Sequence, residues 1–417
     1  MPYSRRRLLV TGSVIGLGSG VAGYTQRRRI FRYSDLRTLR DIQDRPLPEG
    51  PEPLIVPDAY LADSRKRLDE LVRRAREHGL SEDDDHIAYA LDLRERAAEA
   101  AFSIEAAYDL SAARGATARI LSWTRRETGD LTEADVEAEI TDIRQRVDDT
   151  TLTYDIGPET HLMVSHHGAE LALRSATGSL TGTERQSPSR RMEVIERATA
   201  YRDLAVSLSD GGDGDSREAS LQALSRDLEE RVANRMASVT HDFDPKYIRW
   251  RYKTIGVVGK SRTLASNGLF SGSPSDYGDE YPASVAVTRL RDLVLATVAT
   301  DVGPEFAASY DTKASFADIG EIDEMKRNAT DALESVPDDA MADPLVKLFS
   351  AAAVHAAECG DRQLQSAIER VNQLETGSWN LRLEDAFLGY RAALELAKEA
   401  PRIAQELPQS IGHYSSS

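Results

Sequence analysis

Three residues on one predicted helix could act as metal ligands. His166 and Glu170 are four residues apart, so one face of a helix would present both side chains, and His161 lies five residues earlier and is only partly aligned with them. Imidazole nitrogens and carboxylate oxygens are common zinc ligands. The sequence carries no second motif that would complete a site, so the alternative is that these are ordinary polar or core residues. We therefore expect no catalytic residue and no cofactor, and keep a metal-dependent enzyme as an alternative.

A basic stretch with interleaved aromatic residues is the other candidate site. Residues 246–262 carry six basic side chains and no acid, in a chain whose formal net charge is −17. Its central residues are Arg249, Trp250, Arg251 and Lys253. Arginine binds carboxylates and phosphates through paired hydrogen bonds, so an acidic protein, a lipid headgroup or a surface glycan could dock here. The alternative is a helix whose basic groups pair with neighbouring acidic helices.

Two other reactive-looking features fit ordinary structure better. Gly259-Lys260-Ser261 has the ending of a phosphate-binding loop, but Thr254 stands where that loop needs a glycine. Cys359 is the one cysteine of the chain and lies in an alanine-rich run. The sequence therefore excludes an intrachain disulfide, and we expect Cys359 to be a small buried apolar residue.

The amino terminus has the features of an export signal. Ser4-Arg5-Arg6-Arg7-Leu8-Leu9 leads into a short apolar run over residues 8–22 that four glycines interrupt. This order, with Arg5 and Arg6 as the pair, resembles the twin-arginine translocation signal over about the first 25 residues. The resemblance implies export of an already folded protein.

The flank beyond the apolar run favours a different orientation. Four arginines follow the run, at positions 27, 28, 29 and 32, against three before it. Positive flanks tend to stay in the cytoplasm. The alternative is therefore a short membrane anchor at the amino terminus with the body of the protein inside the cell.

The composition indicates a protein that works in high salt. The 417 residues include 69 acidic side chains, and only 8 of the 52 basic side chains are lysine. Since residues 1–45 carry +7, the remainder carries −24. This pattern resembles the proteins of salt-accumulating haloarchaea, whose dense carboxylates keep the surface hydrated, and the alternative is an acidic mesophile. The acidic balance also disfavours a nucleic-acid binder.

The segments that would position these residues are helical nearly throughout. Leu61, Leu68, Leu71, Val72 and Ala75 fall on one face, and a long helix is expected from Ile87 to Tyr108. Thr132 and Asp135 are spaced to cap a further helix. Later segments, near 321–335, 344–359, 362–376 and 380–399, alternate with glycine or proline. We predict an all-α antiparallel bundle of hairpins with long, alanine-rich helices, and the alternative is a tetratricopeptide-like repeat, which residues 386–401 faintly resemble.

The predicted domains follow these boundaries. They are a signal or anchor (1–25), a basic then proline-rich linker (26–57), a helical domain (58–180), a helical segment (189–265), a loop (266–282), a C-terminal helical domain (283–408) and a tail (409–417). The sequence as a whole favours an exported or surface-tethered structural or interaction protein of a halophile, touching the membrane through its amino-terminal segment.

Overall fold

The described residues of this computed structural model are helical nearly throughout. They are 35–81, 84–154, 159–209, 218–240, 277, 280–312, 318–372 and 378–414. The helices are α1 (35–43), α2 (Asp58–Glu77), α3 (Asp85–Glu99), α4 (Ser103–Glu127), α5 (Glu133–Asp148), α6 (Glu159–Leu180), α7 (Pro188–Ser209), α8 (Glu218–Thr240), α9 (Pro282–Thr312), α10 (Ile319–Glu334), α11 (Pro344–Asn372) and α12 (Ser378–Tyr414). No β-strand occurs in this part of the chain, which confirms the predicted all-α class.

Local sequence signals place several helices correctly. The five apolar residues expected on one face of α2 are all buried. At the start of α5, Thr132 Oγ1 accepts a hydrogen bond from the amide of Asp135 at 3.2 Å, and the Asp135 carboxylate accepts one from the amide of Thr132 at 2.8 Å. This reciprocal cap is the one that the spacing predicts.

The prediction of one long helix from Ile87 to Tyr108 is wrong, because the helix is interrupted between α3 and α4. Phe102 is extended, with φ −123° and ψ 139°, and α4 begins at Ser103. The Glu52 carboxylate accepts a hydrogen bond from the Ser103 amide at 2.6 Å. A residue 51 positions away thus satisfies one of the amides that a helix start leaves open, so the break has no local signal.

Two further breaks expected in the C-terminal half are also absent. Residues 344–359 and 362–372 belong to one helix, α11, and α12 runs through Pro401. Gly360 and Gly389 lie where α11 and α12 cross, and a Cβ at Gly389 would stand 2.8 Å from the carbonyl oxygen of Ala356. Glycine therefore serves close helix packing here. Beyond Pro401, Ile403 and Leu407 are buried and keep α12 on the core.

Consecutive helices pack as hairpins around a shared core. The pairs are α3–α4, α6–α7 and α11–α12, and α4 also packs on α7. The main core extends from Leu39 to Leu407, and a second cluster lies between α5, α6 and α7. Helix lengths range from 15 to 37 residues from α2 to α12, which differs from the fixed period of a tetratricopeptide array. No helix among the described residues is long and apolar enough to cross a membrane.

The proline-rich residues 46–57, which we call the strap, pack against the bundle. They form no helix or strand, and Leu54 and Val56 are buried, with Leu54 against Gly168 of α6. The Val56 amide donates to Ser103 Oγ at 2.8 Å. The strap is therefore packed on the folded body.

Candidate functional site

Glu170, one of the predicted metal ligands, caps a different helix from inside the core. Its Oε1 accepts hydrogen bonds from Tyr154 Oη at 2.7 Å and the Ala283 amide at 3.0 Å, and its Oε2 accepts one from the Ser284 amide at 2.5 Å. Ala283 and Ser284 belong to the first turn of α9, whose amides lack intrahelical acceptors. A carboxylate is favoured there because the helix dipole is positive at its start.

Burial and hydrogen bonding shift the pKa of Glu170 in opposite directions. The side chain is 1% exposed, and burial raises its pKa to about 7, although the hydrogen bonds from Ser284, Tyr154 and Ala283 favour the charged form. Removal from water is the larger effect. Glu170 is therefore a buried acid that changes charge near neutral pH.

The two adjacent histidines complete this cluster. His166 is buried, with its ring centroid 4.8 Å from that of Tyr154. His167 Nδ1 and Ser284 Oγ share a hydrogen bond of 2.9 Å. A serine beside a histidine can act as a nucleophile, but His167 and Ser284 are both 0% exposed, so a substrate would have to enter the core to reach them. We call the group of Tyr154, His166, His167, Glu170 and Ser284 the Glu170 junction.

The metal hypothesis places its ligands on one helix. His161, His166 and Glu170 are all on α6, but the side chain of His161 lies outside the described residues. Both oxygens of Glu170 already accept hydrogen bonds, which a metal ion would have to displace. Within the described ranges, no group of three or more His, Cys, Asp and Glu side chains could hold a metal ion. The metal site therefore stays a prediction.

A second buried cluster, which we call the Lys326 junction, joins four helices. Lys326 Nζ of α10 donates to Asp361 Oδ1 of α11 at 2.7 Å and to the carbonyl oxygen of Gln43 in α1 at 3.0 Å. Tyr390 Oη of α12 donates to the same Asp361 oxygen at 2.5 Å. Burial lowers the pKa of Lys326 and raises that of Asp361, and the ion pair opposes both shifts.

The Lys326 junction could have been found in the sequence. Ile322, Lys326, Ala329 and Leu333 recur at helical spacing, and all four are buried on one face of α10. A lysine within an apolar stripe signals a buried charge that needs a partner. Lys326 is therefore a site residue that the sequence signals but that the histidine and basic-stretch predictions do not include.

A third cluster, the Glu196 junction, joins α2, α4 and α7. Arg114 of α4 donates to Glu196 Oε1 at 2.7 Å, and Arg67 of α2 donates to Glu196 Oε2 at 2.9 Å. Arg114 also donates to Ser64 Oγ of α2 at 3.2 Å. Burial alone would raise the pKa of Glu196, but the two guanidinium groups outweigh it and lower that pKa.

The remaining residues singled out from the sequence are placed as follows. Cys359 is half-buried against the core, its Sγ accepts a hydrogen bond from Arg362 at 2.6 Å, and burial raises the pKa of its thiol. It is thus less enclosed than expected. The signal pair Arg5 and Arg6 and the segment Arg249, Trp250, Arg251 and Lys253 lie outside the described residues.

Comparison with known proteins assigns the chain to no family. No protein-family model matches the sequence, and no curated protein and no solved structure matches the chain significantly.

Proposed function

We propose that this chain is a folded helical protein that is exported and serves at the cell surface as a structural or interaction module of a halophile. The observation that carries the proposal is that the buried ionisable groups of the chain connect helices to one another. The Glu170, Lys326 and Glu196 junctions each tie together segments that are distant in sequence, by as many as 283 positions for Lys326 and Gln43. These charged groups act as cross-links between helices.

The twin-arginine-like leader supports export in the folded state. The docking of the chain just after the leader agrees with this route, because Arg45 pairs with Asp323 at 2.7 Å and Gln43 binds Lys326. Because residues 43 and 45 contact α10, the body would already be folded, with these residues in place, before transport.

The experiment that tests export changes Arg5 and Arg6 together to lysine. We expect the variant to accumulate inside the cell, while the unchanged protein reaches the surface. A matched variant with Arg28 and Arg29 changed to lysine should still be exported, because those residues lie beyond the apolar run. Equal surface delivery of all three proteins would contradict the proposal.

A membrane-anchored protein that faces the cytoplasm is the second candidate. The arginines that follow the apolar run favour it, because positive flanks tend to remain inside. In that case protease added to intact cells leaves the body uncut in every variant. Cleavage of the body in intact cells supports export.

The basic segment 246–262 supports an anionic partner at the surface. Its arginines suit carboxylates or phosphates, and Trp250 offers an aromatic face. Replacing Arg249, Arg251 and Lys253 with glutamine should abolish co-purification of an acidic protein, a lipid or a glycan and leave helical content unchanged. Unchanged co-purification would contradict a role for this segment.

A further inference from the structure

We propose that a cleft between α2, α4, α5 and α7 binds a small zwitterion, a molecule with an ammonium group and a carboxylate on one aliphatic frame. The cleft has a volume of about 640 Å³. Pockets for small molecules typically fall between about 300 and 1,000 Å³. The site is separate from the Glu170 and Lys326 junctions, and its floor is the Glu196 junction.

The charges that line the cleft balance each other. Four arginines face it, and so do four acids. The arginines are Arg67, Arg114, Arg146 and Arg202, and the acids are Asp63, Glu139, Glu196 and Asp203. In a chain of net charge −17, this lining is neutral. A ligand with one charge would meet four groups of its own sign, whereas a zwitterion can place each end against opposite charge.

The floor of the cleft is fixed by buried contacts. Arg114 and Glu196 are 4% and 7% exposed, and each is held by the other and by a group of α2. Tyr60 is also buried and donates from its hydroxyl to the carbonyl oxygen of Ala200 at 3.0 Å. A rigid floor reduces the ordering that a ligand would have to impose.

The arginines at the rim are held weakly and can turn to a ligand. Arg146 pairs with Asp142, four residues earlier on the same helix, at 2.9 Å. Arg202 pairs with Asp203, the next residue, at 3.0 Å, and its Nε donates to Thr150 Oγ1 at 3.2 Å. Exposed pairs of this kind contribute little to stability. Arg146 and Arg202 are therefore suited to bind the carboxylate of a zwitterion.

Two acids at the cleft are suited to the ammonium end. Neither Asp63 nor Glu139 forms an ion pair with another residue in the described part of the chain. Removal from water raises the pKa of Glu139, although Arg125 nearby opposes the shift. A ligand ammonium would supply the close positive charge that Glu139 lacks. Ile195 and Val206 offer apolar surface to the aliphatic frame between the charges.

The test is a calorimetric titration of the full-length protein with L-alanyl-L-alanine at fixed ionic strength. Acetate and methylammonium are the single-charge probes. We expect saturable binding of the dipeptide at concentrations up to roughly 10 mM, and binding at least about tenfold weaker for each single-charge probe. No saturation by the dipeptide would overturn the proposal, and so would equal binding of acetate or methylammonium.

Variants at the rim connect binding to the cleft. Glu139→Gln and Arg202→Gln should each weaken dipeptide binding about tenfold, because each removes one charged contact. Arg226→Gln is the matched control, since Arg226 is exposed on α8 and lies outside the cleft. Circular dichroism verifies the fold of each variant, and Asp63→Asn replaces Glu139→Gln if helicity falls. Wild-type affinity in the rim variants, or an equal loss in Arg226→Gln, would refute the site.

Discussion

Replacing Glu170 with glutamine should remove a pH dependence that this one side chain imposes on stability. Burial raises the pKa of Glu170 from 4.5 to about 7 in the folded protein. The folded state then holds the proton more tightly than the unfolded state. The stability that this proton provides is therefore present at low pH and is lost as the pH rises toward 7.

The magnitude follows from the size of the shift. One pKa unit corresponds to about 1.4 kcal/mol, so moving from pH 5 to pH 8 should lower the free energy of unfolding by about 2–3 kcal/mol through Glu170 alone. Glutamine keeps the shape but cannot ionise. Its amide brings a donor to a place where the amides of Ala283 and Ser284 already donate, which costs stability by an amount that does not vary with pH.

The assay is urea unfolding of both proteins at several pH values in constant salt. The quantity to follow is the free energy of unfolding of the wild type minus that of Glu170→Gln. Taking this difference removes the contributions that are the same in both proteins. We expect the difference to fall by about 2–3 kcal/mol between pH 5 and pH 8. A difference that is constant over this range, or that rises, would refute the reasoning about burial.

Three further predictions concern salt, helix packing and the second junction. The helical circular dichroism signal should fall when the salt concentration drops from molar to tens of millimolar. The cause is repulsion among the excess acidic side chains beyond residue 45, where the net charge is −24. A thermal melt that does not change with salt would contradict this prediction. Gly389→Ala should lower the free energy of unfolding by about 1–3 kcal/mol, because the added Cβ would meet the backbone of Ala356. Gly178→Ala is the control, since a Cβ there meets open space and should not destabilise the protein. Calorimetric melting of the two variants distinguishes these outcomes. Lys326→Met should lower the free energy of unfolding by about 3 kcal/mol, because it leaves Asp361 without its cation. Adding Asp361→Asn should restore part of the lost stability. Urea unfolding of both variants measures these changes.

Much of the fold could be predicted because its signals are local. The apolar face of α2 and the cap formed by Thr132 and Asp135 are each written within one or two turns of helix. The breaks were predicted less well. Glycine at position 360 could mean either a helix end or a close crossing, and the choice depends on a partner helix that the local sequence does not reveal.

The candidate site was predicted only in part, for the same reason. The spacing of His166 and Glu170 places both on one helix, but two of the three groups that bind Glu170 are amides of α9, 113 and 114 residues away. Spacing predicted a metal site, which stays a prediction, and did not reveal the helix amides that bind Glu170. Lys326 was detectable within its own stripe, whereas the burial of Leu54 and Val56 in the strap was not, because proline content does not report burial.

Export is the central claim, and fractionation of the native cells with amino-terminal sequencing of the recovered protein tests it most directly. We expect the protein in the surface or secreted fraction, with a start just after the small residues Gly20 and Ala22 if the leader is removed. Protease added to intact cells should then cut it. Recovery in the cytoplasmic fraction alone, starting at Met1 or Pro2 and protected from external protease, would contradict the account.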